Sequence, residues 1–129
     1  MKKIIVLLVL LLSLTACGKQ EEEEKKDLLA TIKERGTLVV ATEGDWSPYT
    51  YHDEETNELV GFDVELGKMI ADKLGVKVEY KETDWDSILA GVQSGSFDLG
   101  INGITYSEER ADAFNFSTPY LYDQTVLIV

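Results

Sequence analysis

Gly61-Phe-Asp-Val-Glu-Leu-Gly-Lys-Met-Ile-Ala-Asp-Lys-Leu-Gly-Val-Lys-Val-Glu-Tyr80 decides the class of fold. Phe62, Leu66, Met69, Ile70 and Leu74 recur at helical spacing, and Gly75 supplies a stop. Val76 to Tyr80 then reads as a strand, so a helix opening at Gly61 to Asp63 feeds directly into a sheet. Upstream, Asp27 caps a short helix through Arg35 with Leu28, Leu29 and Ile32 on one side, Gly36 ends it, and Thr37 to Thr42 is a buried strand. Tyr49 to His52 and Glu58 to Gly61 flank the turn-rich Asp53 to Asn57 as a hairpin. Downstream, Thr83 or Asp84 caps a helix with Trp85, Ile88, Leu89 and Val92 on one face, and Phe97 to Ile101 is a third strand. Ala113 to Phe116 is expected to be extended and Gln124 to Val129 to be β-rich. Strands alternating with helices of this length imply an α/β domain with a mostly parallel sheet flanked by helices.

In open α/β sheets, ligands sit outside the C-terminal ends of the strands. Two loops are expected there: Glu43-Gly-Asp-Trp-Ser-Pro48, and Gly103-Ile-Thr-Tyr-Ser-Glu-Glu-Arg110 after the third strand. Arg110 has a planar guanidinium that offers a carboxylate two parallel N–H donors, and Thr105 adds a hydroxyl and a backbone N–H. Gly103 lets a ligand approach its backbone closely. Ser107 is an N-cap with Glu108 and Glu109 in the first turn, which places Arg110 near a helix start. Together these residues suit a small anion. Trp46 and Trp85 at the same rim suit the aliphatic part of a small zwitterion, although Trp85 on an apolar helix face reads equally well as core. Glu43 stands open between two readings, a contact for a polar or cationic group and a solvated loop acid.

The 129 residues have room for one domain with a sizeable core. The chain opens with the basic Met1-Lys-Lys and the apolar run Ile4 to Leu14, too short for a membrane span. Leu14-Thr-Ala-Cys17 follows and resembles the lipobox of bacterial lipoproteins, in which the cysteine is lipidated and becomes the first mature residue. Residues 1–16 are therefore expected to be a lipoprotein signal peptide, and residues 17–27, with Glu21 to Glu24 consecutive, an acidic tether. Cys17 is the sole cysteine, so no intramolecular disulfide forms. Losing Lys2 and Lys3 from the 12 basic residues leaves 10 against 24 acidic ones. Such a field makes nucleic acid and anionic lipid head groups poor partners. The sequence carries no P-loop, G-x-G-x-x-G, H-E-x-x-H or G-x-S-x-G pattern. His52 is the single histidine, which rules out a histidine-based triad or multi-histidine metal site, and beside Asp53 it reads as a surface residue.

The run from Gly36 to Tyr49, with Leu59 to Val64 and Asp98 to Tyr120, resembles the first lobe of the family 3 extracellular solute-binding proteins, the amino-acid receptors of ABC importers. The resemblance covers the chain from about Leu28 onward. It implies a type II periplasmic-binding-protein-like lobe over 28–129, in which Arg110 grips the ligand α-carboxylate with help from Thr105. It also implies that the Gly103 carbonyl accepts from the α-ammonium, that Trp46 and Trp85 flank the side chain, and that Glu43 meets polar or basic groups. A lipid anchor at Cys17 on the extracytoplasmic face, a free amino acid and ABC permease subunits are the partners implied, with no cofactor, no metal and no catalysis. Family members carry a second lobe after a hinge strand corresponding to Thr125 to Val129. The expectation is thus an incomplete first lobe, the second lobe absent, binding weakly at best. A ligand-sensing extracellular module and a periplasmic dehydratase of the same fold are the alternatives.

Overall fold

The computed structural model describes residues 27–124 and 126–129. The expected signal peptide, the lipidation site Cys17 and nearly all of the tether lie outside the described residues, as does Thr125. Helix α1 (Leu28–Arg35) carries Lys33 and Arg35 in its last turn, where cations suit the negative end of the dipole, and Gly36 closes it in the left-handed conformation. Only Ile32 of its apolar residues is buried, whereas Leu28 and Leu29 are exposed. Arg35 also reaches across to the buried carboxylate of Asp98, which accepts from the Val39 N–H at 2.8 Å. That pair ties the start of β1 (Thr37–Thr42) to the entry of the third parallel strand.

β1 is the centre of a parallel sheet, with β5 (Lys77–Glu82) on one side and β6 (Leu99–Gly100) on the other. Thr37 pairs with Lys77 and Thr42 with Glu82 along β5, while Val40 and Ala41 pair with Leu99 and Gly100. The central strand is flanked on both edges, so Leu38, Val40, Ala41 and Thr42 are all buried, and Leu38 and Val40 join Ile32, Ala71 and Ile101 in the core. Between β1 and the next helix the chain builds a second, antiparallel sheet of β2 (Asp45–Trp46), β3 (Thr50–His52) and β4 (Leu59–Val60). The expected hairpin is thus present, and the loop from Glu43 to Pro48 adds a short third strand to it.

Helix α2 (Phe62–Leu74) packs against β5 and β1. Its buried face is the expected one only in part: Ile70 and Leu74 pack against the core and Leu66 is half-buried. Phe62 and Met69 are 49% and 60% exposed, and the side turned inward carries Val64, Gly67 and Ala71. Small residues let the helix approach the sheet closely; a Cβ at Gly67 would lie 2.4 Å from the Tyr80 hydroxyl. An apolar-periodicity reading weights large residues and misses such a face. Gly61 precedes the helix at φ 129°, and a Cβ there would sit 2.2 Å from the Tyr49 carbonyl oxygen. Only glycine allows that approach, which seats the first turn of α2 on the Pro48 and Tyr49 carbonyls through the N–H groups of Phe62 and Asp63, both at 3.0 Å.

Helix α3 (Trp85–Ser94) is capped by Asp84, which accepts from the Ser87 N–H at 3.0 Å, and buries Ile88 against β1 and β6. The short α4 (Glu108–Ala111) has Ser107 as its cap, as expected. No strand forms over 113–116 or among the described residues of 124–129, because a β-prone run without a partner strand has nothing to satisfy its backbone.

His52 is more than a surface residue. Its Nε2 faces Glu82 Oε2 at 2.7 Å and its Nδ1 faces the Asn57 carbonyl at 2.9 Å, so β3 is pinned to β5. Both ring nitrogens meet acceptors, a set that only the imidazolium satisfies with two donors. The Glu82 hydrogen bond, then that to Asn57, raises the His52 pKa above its ordinary 6.5. A raised folded-state pKa means stability that is fully present below 6.5 and lost as pH rises through the folded value. The urea midpoint is therefore expected to fall across that window in the wild type and to lose this dependence in Glu82→Gln; equal slopes in the two proteins would exclude the linkage.

Candidate ligand-binding site at the strand ends

The three parallel strands run the same way, so the segments that follow them emerge at one rim of the sheet. β1 delivers Glu43 to Trp46, β5 delivers Asp84 and Trp85, and β6 delivers Asn102 to Thr105. Topology alone thus places these three strand-end segments at one rim.

At the centre is Asn102, 2% exposed. Its Oδ1 accepts from the hydroxyls of Thr42 and Thr50, both at 2.8 Å, and from the Glu43 N–H at 3.0 Å. Its Nδ2 donates to Glu43 Oε2 at 2.6 Å. One side chain therefore joins both sheets and holds the Glu43 carboxylate, whose Oε1 has no hydrogen bond among the described residues. Glu43 is thereby neither free in solvent nor fully engaged.

Gly103 follows in the left-handed region at φ 59°, and its open side meets Trp46 and Tyr49: a Cβ there would stand 3.6 Å from the Trp46 Nε1 and 3.5 Å from the Tyr49 ring. Its N–H donates to Asp63 Oδ2 at 2.6 Å, and the Tyr120 hydroxyl donates to Asp63 Oδ1 at 3.1 Å. Burial pushes the Asp63 pKa up, while the bonds from Gly103 and Tyr120 pull it back. Tyr120 is held above its ordinary value by burial and by the neighbouring Asp63.

Arg110 stands in α4 with its N–H on the Ser107 hydroxyl at 3.2 Å. Its Nη1 donates to the Thr105 carbonyl at 2.8 Å and its guanidinium lies over the Trp85 ring, 5.7 Å from the centroid. A cation on an indole face at a partly exposed site is worth about 0.5–1 kcal/mol. Trp85 is 37% exposed, so part of its ring faces solvent at the rim. The six expected residues thus fall into linked groups. Trp46 lies beside Gly103, Trp85 and Thr105 hold Arg110, and Glu43 is tied to Asn102.

A hollow of about 320 Å3 opens on the flank of this rim, lined by Tyr49, Gly103 to Tyr106, Phe116, Ser117 and Pro119 to Asp123. Gly103 and Thr105 border it; Glu43, Trp46, Trp85 and Arg110 do not. Sequence reasoning missed Asn102, Asp63 and Tyr120. Asp63 sits in the first helical turn, where an acid is ordinary, and no local pattern marks an asparagine that will be buried. Among the described residues no group of three or more His, Cys, Asp and Glu side chains is placed to hold a metal, and no helix is long and apolar enough to cross a membrane.

Residues 38–129 match the model of the bacterial extracellular solute-binding proteins, family 3. The L-cystine-binding protein TcyA of Bacillus subtilis is 44% identical over 102 residues, covering 79% of this chain and 38% of that protein. Cyclohexadienyl dehydratase of Pseudomonas aeruginosa is 38% identical over 95 residues, covering 74% of this chain and 35% of the enzyme. The chain thus spans little more than a third of these relatives. Among solved structures, the arginine-bound form of domain 1 from TmArgBP superimposes with a TM-score of 0.67 at 38% identity, covering 70% of this chain and 71% of that domain. The chain belongs to family 3 of the bacterial extracellular solute-binding proteins, and its parallel sheet with flanking helices is the lobe of a type II periplasmic binding protein.

Proposed function

We propose that this chain holds a free amino acid at the C-terminal rim of its parallel sheet and serves an ABC importer as a lipid-anchored receptor component, tethered through Cys17 and handing its ligand to permease subunits. Arg110 grips the α-carboxylate, Thr105 adds donors, and the Gly103 carbonyl accepts from the α-ammonium. Trp46 and Trp85 border the ligand side chain. The observation that carries this reading is the seating of Arg110: one nitrogen is spent on the Thr105 carbonyl and the flat face rests on Trp85, which leaves the rest of the donor fork for a bidentate anion. Glu43 supports a ligand with a distal cationic or polar group, since Asn102 holds one carboxylate oxygen and leaves the other for a donor. L-Cystine and L-arginine, named for two relatives, both carry a second cationic nitrogen. The arginine-bound single domain supports binding by one lobe.

Calorimetric titration of the Cys17→Ser chain against the common amino acids and L-cystine tests this. The expected result is saturable binding with a dissociation constant weaker than about 1 μM, strongest for ligands with a distal donor, because one lobe leaves the ligand half solvated. Silence across the series overturns the reading. The dehydratase relative makes catalysis the competing outcome, and substrate loss detected by mass spectrometry would replace binding with turnover.

A further inference from the structure

Asp63 has the position of an ordinary helix-start acid, two residues after Gly61, yet its oxygens serve residues far along the chain instead of its own first turn. One takes the N–H of Gly103, 40 positions on, and the other the hydroxyl of Tyr120, 57 positions on. The residue is 1% exposed. A carboxylate removed from water to this degree is costly unless donors meet it, and here two do. We infer that Asp63 is a positioning residue of the amino-acid site: its buried carboxylate fixes the Asn102–Gly103 peptide, and so sets the left-handed turn from which Gly103 presents its own carbonyl to the ligand ammonium.

Gly103 at φ 59° has no side chain to restrict it, and glycine visits many conformations at similar energy. Asn102, the residue before it, is anchored by the bonds of its side chain, and these do not themselves fix the peptide that follows. The Asp63 bond removes that freedom, and because α2 is itself seated on the Pro48 and Tyr49 carbonyls, the fixed point is shared with the loop that carries Trp46. The Gly103 carbonyl and the Trp46 indole are thereby held in one frame. Preorganisation of this kind spares the ligand the cost of ordering the loop.

The inference rests on the proposed role of Gly103 at the ligand ammonium, so its test has one readout that needs no ligand. In the isotopically labelled chain, the Gly103 amide proton is expected far downfield and protected from exchange, as a short bond to a carboxylate demands. Asp63→Ala should move it to an ordinary position and strip its protection. Asp63→Asn, which keeps one acceptor, should leave it intermediate, and Tyr120→Phe should leave it nearly unchanged. Titration with each common amino acid and L-cystine should then show a loss of about tenfold or more in affinity for Asp63→Ala, substantial recovery in Asp63→Asn, and a change below about threefold in Tyr120→Phe. A merely structural acid would lower thermal stability in Asp63→Ala and Tyr120→Phe alike, without a signature confined to Gly103. An unmoved Gly103 amide in Asp63→Asn overturns the inference even if Asp63→Ala fails to fold, and so does a shifted amide with undiminished affinity. Absence of binding in the wild type with a normal Gly103 signature sinks the amino-acid reading instead.

Discussion

Asn102→Ala is expected to unfold the lobe at a urea midpoint far below that of the wild type, with a loss of about 3–5 kcal/mol. The substitution strands three donors at once: the buried hydroxyls of Thr42 and Thr50 and the N–H of Glu43. Each buried donor left without an acceptor costs about 1–3 kcal/mol, and the hydroxyls recover part of this by rotating toward other oxygens. A small domain has only about 5–15 kcal/mol in total, so the variant spends a large share of its margin. For a domain near 100 residues the melting temperature should drop on the order of 15 °C. Asn102→Asp keeps the acceptor but loses the N–H that Glu43 uses and sets two carboxylates together, so it should fall between and recover as the pH is lowered. A loss below about 1 kcal/mol in Asn102→Ala would show that the two sheets are joined by something else.

Arg110→Ala is expected to behave in the opposite way, leaving the fold nearly intact while removing ligand binding. In the folded lobe Arg110 contributes one bond to the Thr105 carbonyl and its stacking on Trp85, which together amount to about 1–2 kcal/mol at a partly exposed site. Toward an α-carboxylate it offers two charge-assisted bonds, and their loss should cost about 2–4 kcal/mol, or on the order of 30- to 1000-fold in affinity. Arg110→Lys should restore little, since a lysine ammonium neither forks onto a carboxylate nor lies flat on an indole. Calorimetry beside thermal melts separates the two effects. Undiminished affinity in Arg110→Ala would place the carboxylate elsewhere on the rim.

Much of the fold was legible because its signals are local. Thr37 to Thr42 lies between Gly36 and a polar loop and is a strand over that same span. Gly36, Gly75 and Gly95 end helices where a left-handed residue is needed. Asp84 and Ser107 cap because short acceptors reach N–H groups three residues on. The inward face of α2 was read only in part: Ile70 and Leu74 do pack on the core, but the closest approach to the sheet is made by the small residues Gly67 and Ala71, which a hydrophobic count overlooks. The strand at Asp45 and Trp46 was missed because two residues carry no period, and only pairing with Thr50 and Tyr51 defines it.

By itself, then, the amino-acid order determined the α/β alternation, the helix ends and the kinds of donor available at Gly103, Thr105 and Arg110, since these depend on residues within a turn or two of one another. Tertiary structure alone decided what those donors are attached to. Asn102 meets Thr42 and Thr50, and Asp63 meets Gly103 and Tyr120, across separations of 40 to 60 residues. The parallel register sets the end of β6 beside the end of β1 and so brings Asn102 to Thr42, while the seating of α2 on the Pro48 and Tyr49 carbonyls carries Asp63 to the same rim. Hydrogen bonds reach about 3 Å, so only the folded chain selects which distant partner lies within that reach.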